Sequence, residues 1–341
     1  MRVVVVGATG NIGTSVLSSL AREPRVTRIV GAARRRPDLS LPKTEFVSCD
    51  VVDDDLVPLF RGADAVIHLA WLLQPSRSPS RLEAVNVRGS QRVFNAVLAA
   101  GVPQLLVASS VGSYAPGPKD RAVNEDWPTL GIPNSLYSRH KAAVERLMDE
   151  LEWERPDLKL VRIRPGLVFK LEASSEIQRL FIGGRWPRAV FRGAFIPFLP
   201  GNDRLRFQVL HSFDVGEAFR LALVKNAKGP FNLAAEPVLD PEVLSRALGK
   251  PVVKVPAVVL RRLFALSYHL RLQPAEPGWL ELALNVPIMS TERARRELGW
   301  SPAHSSLAAL GELLTGLRQG AGGPTLPLAA AGSREAKLLH H

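Results

Sequence analysis

The chain has 341 residues, a formal net charge of +12 and a single cysteine, Cys49. It contains no run of 18 or more apolar residues, and its basic residues are scattered among acidic ones, so we expect neither stable membrane insertion nor nucleic-acid binding. The lone cysteine excludes an internal disulfide and the N-terminus lacks the zones of a signal peptide, so we expect a cytoplasmic protein.

Short β-branched runs alternate with helix-like stretches along the first 170 residues. The runs are continuous, as is typical of parallel strands buried on both faces. They lie at residues 2–7, 27–33, 44–51, 64–70, 104–110 and 158–165, with helical stretches at 11–22, 53–61, 83–100 and 137–154. This order predicts an α/β fold with a doubly wound parallel (Rossmann) sheet, in which ligands bind beyond the carboxyl ends of the strands.

The alternation stops near residue 170, and a helix and a further strand, GPFNLAA, follow within 203–235. The remainder is mostly helical with Pro breaks, which predicts a smaller, mostly helical C-terminal cap for the substrate. The expected division is a Rossmann domain of residues 1–170 plus 203–235, a cap of residues 171–202 plus 236–318, and a mobile tail of residues 319–341.

The stretch GATGNIG lies between the first strand and the first helix. Gly7 allows a tight turn, Gly10 lets the backbone approach a pyrophosphate, and Gly13 lets the helix pack close to the sheet. The helix N-terminus offers free N–H groups to phosphate oxygens. We therefore predict a dinucleotide phosphate loop whose contacts are Gly7, Thr9, Gly10, Asn11, Ile12 and Gly13.

The second strand ends in GAARRR, without the acidic residue that would accept from a ribose 2′-hydroxyl. Arg34 or Arg35 could instead pair with a 2′-phosphate, so NADP(H) is favoured and NAD(H) is the alternative. A solvated basic turn is the other interpretation of the arginines. Asp50, at the end of the third strand, could accept from the adenine amino group or cap the next helix.

The stretch YSRHK places Tyr137 and Lys141 about one helical turn apart, on the same face. A nearby ammonium lowers the pKa of a phenol, which would make Tyr137 a general acid or base nearer neutral pH. The fifth strand ends in ASSVGSY, where a Ser hydroxyl can donate to a carbonyl oxygen as charge develops. A dinucleotide, a proton donor and an oxyanion partner are the parts that hydride transfer at a carbonyl requires.

As a set, these motifs resemble the extended branch of the short-chain dehydrogenase/reductase superfamily, which includes NAD-dependent epimerases and dehydratases. The resemblance covers about residues 1–235 and rests on GATGNIG, Asp50, HLA (68–70), NVRGS (86–90), ASSVGSY, YSRHK, RPGLVF (164–169) and HSFDV (211–215). It implies that Tyr137 is the acid/base, that Lys141 binds the nicotinamide ribose and tunes Tyr137, and that Ser110 polarises the carbonyl. No metal is expected. The remaining implied cofactor contacts are Val51, Leu69, Ala70, Trp71, Asn86, Ala108, Ser109, Pro165, Gly166 and Val168.

Two departures from the pattern of nucleotide-sugar enzymes favour simple hydride transfer to or from a carbonyl or secondary alcohol. RPGL (164–167) replaces their Arg-Tyr-Phe-Asn, and Val111-Gly112 replaces the acidic pair of the dehydratases. Against this, Arg204 and Arg206 lie near the place where members of the family hold a diphosphate.

The pocket walls are expected to be apolar. The stretches WLLQPS (71–76), FIPFLP (195–200) and PGWLELAL (277–284) suggest a hydrophobic substrate, although they could equally be plain core.

The leading interpretation is an NAD(P)-dependent oxidoreductase acting on a hydrophobic small molecule, expected to be a homodimer through the helices at 83–100 and 137–154. A nucleotide-sugar epimerase or dehydratase is the alternative. From other classes come a non-catalytic cofactor-binding scaffold, against which Ser110, Tyr137 and Lys141 argue, and a membrane-surface protein resting on the basic, apolar helix at 258–272.

Overall fold

The computed structural model describes residues 1–73, 78–183, 197–330 and 333. Its strands are β1 (Arg2–Val6), β2 (Arg28–Ala33), β3 (Thr44–Ser48), β4 (Ala65–His68), β5 (Gln104–Ala108), β6 (Ala122–Val123), β7 (Lys159–Pro165), β8 (Leu167–Phe169), β9 (Leu199–Gly201), β10 (Val209–His211), β11 (Gly229–Leu233), β12 (Val252–Lys254) and β13 (Ile288–Met289). Its α-helices are α1 (Asn11–Ala21), α2 (Val57–Phe60), α3 (Pro79–Glu83), α4 (Gly89–Ala99), α5 (Leu136–Glu154), α6 (Ser174–Ile177), α7 (Ser212–Val224), α8 (Pro241–Leu248), α9 (Ala257–His269), α10 (Pro277–Asn285) and α11 (Ser306–Gln319).

A seven-stranded parallel sheet in the order β11-β7-β5-β4-β1-β2-β3 forms the centre of the molecule. The order reverses between β1 and β4, where a doubly wound sheet opens a crevice at the carboxyl ends of its strands. The predicted fold class is confirmed, and the strands lie where the β-branched runs predicted them.

The side chains of β1 point alternately to the two faces of the sheet, which explains why its sequence is continuously apolar. Val3 and Val5 pack into the core shared with α1 and α7, whereas Val4 and Val6 pack into the core on the other face. Successive side chains of a strand point to opposite faces, so a strand covered on both sides needs no polar position.

The helix expected at 53–61 is shorter in the structure, because aspartate side chains before and within its expected first turn accept hydrogen bonds from backbone N–H groups. Asp50 Oδ1 accepts from Val52 N and Asp55 Oδ1 accepts from Val57 N. Local side-chain hydrogen bonds of this kind compete with a helix. α2 therefore begins only at Val57.

The stretch expected as one helix at 83–100 contains a π-helical turn, Ala84–Arg88, between α3 and α4. Such turns are frequent at functional sites. Here the turn carries Asn86, one of the predicted cofactor-site residues.

The first part of the expected mobile tail is packed in the structure, which corrects the prediction for residues 320–330. Thr325 is buried, and its Oγ1 donates to the carbonyl of Thr9 in the Gly-rich loop. Arg179 donates to the carbonyls of Pro327 and Ala329. The Gly-, Pro- and Ala-rich composition did not reveal these contacts, because they are made largely by backbone oxygens.

α9 packs on α10 but has no buried residue. Its Val258, Leu263, Leu266 and Leu270 side chains are more than half exposed. None of the helices in the described ranges combines the length and apolar character needed to cross a membrane.

Candidate active site

The Gly-rich loop has the geometry of a phosphate cradle. Gly7 has φ +85°, and a Cβ built on it would lie 2.6 Å from Ala70 N. A Cβ on Gly13 would lie 2.4 Å from the Gly7 carbonyl oxygen, whereas one on Gly10 would meet nothing closer than 3.8 Å. Gly7 and Gly13 are thus required by close backbone packing, while Gly10 leaves open space above the loop.

The start of α1 is free to receive an anion. Gly10 is its N-cap residue, and no side chain in the described part of the chain caps the helix. The Asn11 Nδ2 donates to Val168 O, and its Oδ1 is buried without a hydrogen-bond partner among the described residues. Open space, uncapped N–H groups and an unmet acceptor fit the phosphate and ribose groups of a dinucleotide. Ile12, next in the helix, is half-buried and packs against the core.

Lys170, which sequence reasoning missed, ties the chain after β8 to this loop. Its Nζ donates to the Asn11 carbonyl, Thr14 Oγ1 and Ser15 Oγ, and burial lowers its pKa to about 8. These donations hold the first turn of α1 in place. A lysine directly after a short strand gives no sequence signal for such a contact.

The end of β2 is basic and exposed. Arg34 and Arg35 follow Ala33 directly, and both are exposed. Asp50 follows β3, and its Oδ1 accepts from Val52 N in a local turn; it does not cap α2, whose N-cap residue is Leu56. Val51, beside it, is buried against the Gly89 backbone.

Ser110 and Tyr137 come together where β5 ends and α5 begins. Ser135 caps α5 by accepting from Ser138 N, so Tyr137 lies in the first turn of the helix. The Ser110 side chain lies beside Tyr137 and lowers the Tyr137 pKa against the larger effect of burial. Ser110 Oγ also accepts from Gly112 N at 3.0 Å. The predicted convergence of hydroxyl and phenol is therefore present in the structure.

Lys141 lies on the same face of α5 but does not act on the Tyr137 pKa in the predicted direction. Burial raises the pKa of Tyr137 to about 12, and the neighbouring Ser110 side chain opposes that rise. Lys141 Nζ donates to Ala108 O at 2.9 Å, and burial lowers its own pKa to about 7 despite the charge of Glu145. The predicted lowering of the Tyr137 pKa by Lys141 is wrong, because burial sets the direction of the shift and Lys141 is not among its causes.

A buried ion-pair network lies beneath the two serines, and sequence reasoning missed it. Ser109 Oγ donates to Glu145 Oε1. Arg164 donates to both Glu145 oxygens at 2.8 and 2.9 Å, and Arg162 donates to Oε2 at 3.2 Å. Burial alone would raise the Glu145 pKa, but the two guanidiniums hold it below its usual value.

The backbone after β4 is fixed beside the crevice. Leu69 N donates to Val6 O, and Ala70 packs against Gly7. The Asn86 side chain holds the Leu72 backbone, since it accepts from Leu72 N at 2.7 Å and donates to Leu72 O at 2.8 Å. Asn86 therefore fixes the backbone of the loop that follows β4.

The backbone directly after β7 lies close to the backbone of Gln208. Pro165 is the last residue of β7, and a Cβ on Gly166 would lie 2.5 Å from Gln208 O. Pro165, Gly166 and Val168 therefore lie at the carboxyl edge of the sheet, on the side of the Gly-rich loop.

An aromatic and aliphatic pocket adjoins Tyr137. The ring of Trp279, from α10, lies 4.8 Å from the Tyr137 ring centroid to centroid, and Phe181 packs on its other side. Glu276 also faces the pocket, and burial raises its pKa. The pocket lining consists of Leu72, Leu73, Leu82, Asn86, Leu136, Tyr137, His140, Glu276 and Trp279. Of the stretches expected as walls, 74–76 and 195–196 lie outside the described residues.

A basic cluster lies on the far side of α10. Lys119 is buried, and its Nζ donates to the carbonyls of Ala283 and Arg206. Burial, together with the charges of Arg204 and Arg206, lowers the Lys119 pKa to about 7. Arg206 Nε is buried without a partner, and none of these three cations forms an ion pair within the described ranges.

Comparison with known proteins gives a consistent picture. A model of the NAD-dependent epimerase/dehydratase family matches residues 3–234. The uncharacterized protein Rv2047c of Mycobacterium tuberculosis is 27% identical over 93% of this chain, which spans only 30% of that relative's length. L-arabinose 1-dehydrogenase (NAD(P)(+)) of Haloferax volcanii is 30% identical over 48% of this chain and 66% of its own.

Among solved structures, MoeE5 in complex with UDP-glucuronic acid and NAD has a TM-score of 0.67 to this chain, covering 94% of it and 99% of MoeE5. At 21% identity this likeness shows the fold alone. The family model, however, covers well over half of the chain and includes every residue of the Ser110–Tyr137–Lys141 site. The chain belongs to the NAD-dependent epimerase/dehydratase family.

Proposed function

We propose that this chain is an NAD(P)-dependent oxidoreductase that transfers a hydride to or from a carbonyl or secondary alcohol of a hydrophobic small molecule. The observation that carries the proposal is that Ser110 lies beside Tyr137, whose ring lines a pocket together with Trp279 and leucines. Mostly apolar pockets with a few placed polar groups are typical of small-molecule sites. The leucine and tryptophan walls are what favour a hydrophobic substrate here. The similarity to an arabinose dehydrogenase agrees with hydride transfer.

A bound nicotinamide supplies or accepts the hydride. The phosphate loop of Gly7, Gly10 and Gly13 and the start of α1 would hold the pyrophosphate, and Lys141 would hold the nicotinamide ribose. Tyr137 donates its phenolic proton to the carbonyl oxygen in reduction, or takes it back in oxidation. Ser110 positions the same oxygen and donates to it as negative charge develops.

We favour NADP(H) as the cofactor. The support comes from this chain's own residues, Arg34 and Arg35 at the end of β2 without an acidic residue there. A guanidinium can form two charge-assisted hydrogen bonds to a 2′-phosphate. NAD(H), the cofactor named with MoeE5, is the alternative.

A nucleotide-sugar epimerase is the second candidate, and the cluster of Lys119, Arg204 and Arg206 favours it. Three cations that have no carboxylate partner among the described residues suit an anionic group of the substrate. Parallel assays decide between the candidates. Consumption of NADPH with hydrophobic ketones supports the oxidoreductase, and interconversion of UDP-sugars without net cofactor change supports the epimerase.

We also propose a homodimer through the outer faces of α4 and α5. Fewer residues are available for this interface than the sequence suggested. Val93 and Val97 of α4 and Leu151 of α5 are buried in this chain's own core. Val85, in the turn before α4, and Leu147 of α5 are half-buried and remain available. Light scattering at micromolar concentration tests the proposal, and a monomer there would contradict it.

A further inference from the structure

The indole of Trp71 covers the ammonium of Lys141. Lys141 Nζ lies 3.4 Å from the centroid of the Trp71 ring, a cation–π contact. Trp71 also meets the Tyr137 ring edge to face, with centroids 5.9 Å apart. Lys141 is only 4% exposed, so a ribose hydroxyl cannot reach its ammonium while the indole stays there.

The polar groups of both residues are incompletely satisfied in this arrangement. An ammonium has three N–H donors, and among the described residues Lys141 has one hydrogen bond, to Ala108 O. The Trp71 Nε1 is buried and, within the same ranges, has no acceptor. A buried donor without an acceptor is unfavourable, so no hydrogen bond holds the indole in place.

The backbone on either side of Trp71 is fixed. Leu69 N is bonded to Val6 O in the sheet, and Asn86 makes two hydrogen bonds to the backbone of Leu72. A change at Trp71 must therefore be a rotation of its side chain rather than a movement of the loop.

We propose that Trp71 is a gate for the nicotinamide half of the cofactor, an inference that rests on the proposed function. Without a dinucleotide, the indole closes over Lys141 and Tyr137. When the cofactor binds, its ribose hydroxyls replace the ring at the ammonium, and the indole rotates away. The adenosine half binds at the Gly-rich loop and the end of β2, so the gate opposes only the nicotinamide half.

The experiment compares a whole dinucleotide with its adenosine fragment by titration calorimetry. NADP⁺ is paired with adenosine 2′,5′-bisphosphate, and NAD⁺ with ADP. The ratio of fragment Kd to dinucleotide Kd measures how much the nicotinamide half contributes to binding. In Trp71→Ala this ratio should rise about 2- to 30-fold, the range expected for loss of one cation–π contact. Trp71→Phe keeps an aromatic ring that makes a weaker cation–π contact, so the ratio should rise less.

Trp153→Ala is the matched control, because Trp153 is 85% exposed and remote from the site. Its ratio should equal that of the wild type. An unchanged or smaller ratio in Trp71→Ala, or in Trp71→Phe should the alanine variant fail to fold, overturns the gate. If the wild type binds neither dinucleotide, the proposed function and the gate both fall; if it binds one and the ratio does not rise, the gate alone falls.

Discussion

Ser109 and Ser110 are adjacent in the chain, yet their hydroxyls serve different partners. The Ser109 hydroxyl donates to the buried carboxylate of Glu145, whereas the Ser110 hydroxyl accepts from Gly112 N and lies beside Tyr137. Because Glu145 lies one turn beyond Lys141 on α5, the network beneath the sheet edge also fixes the helix that carries Tyr137. The geometry of the proposed site therefore depends on a carboxylate that is buried beneath it.

We expect Glu145→Gln to destabilise the protein strongly. The substitution leaves the buried guanidinium of Arg164 without a full charge partner, and breaking a buried pair in this way costs about 3–5 kcal/mol. Urea unfolding of both proteins measures the difference. Glu150→Gln, on the exposed side of the same helix, is the control and should change the free energy of unfolding by less than about 0.5 kcal/mol. Equal effects of the two substitutions would show that the network contributes little.

Much of the fold could be predicted from the sequence. Continuous β-branched runs indicate strands buried on both faces, and a Gly-rich loop indicates a turn where backbones pack closely. Gly7 and Gly13 are needed by backbone packing that any sheet of this kind imposes. The pairing of Glu145 with Arg164 could not be predicted, since it depends on how α5 packs against β7. The Tyr137 pKa was predicted in the wrong direction because spacing on a helix does not reveal burial.

Lys141 should make the stability of the protein depend on pH. Its folded pKa of about 7 lies below the usual 10.5, so the unfolded chain binds the proton more tightly between these values. By linkage, the free energy of unfolding rises with pH across this window. Lys119 and Lys170 act in the same direction, so the comparison must be with Lys141→Met.

Urea unfolding at pH values across that window, in wild type and Lys141→Met, isolates the contribution of Lys141. We expect the wild type to gain more stability than the variant as pH rises. Parallel pH dependences in the two proteins would mean that Lys141 titrates alike in the folded and unfolded chain.

Arg34→Ala should abolish most of the preference for NADP(H). A charge-assisted hydrogen bond contributes roughly 1.5–3 kcal/mol, so we expect wild type to bind NADP(H) about 10–150-fold more tightly than NAD(H). Arg34 is exposed, so added salt should weaken the preference. Dissociation constants for both cofactors provide the measurement.

Arg146→Ala removes an exposed arginine on α5 and serves as the control for net charge. It should leave the cofactor preference as it is in wild type. A wild type that binds NAD(H) as tightly as NADP(H), or an Arg34→Ala variant that binds both equally less well, would refute the assignment.

The central claim is that Tyr137 transfers the proton that accompanies hydride transfer. The most direct measurement is NADPH consumption with hydrophobic ketones in wild type and Tyr137→Phe, alongside the cofactor Kd of each. The substitution removes only the phenolic hydroxyl, so we predict that turnover falls about 10²–10⁴-fold while the Kd stays within about twofold. Turnover by Tyr137→Phe within twofold of wild type would contradict the account.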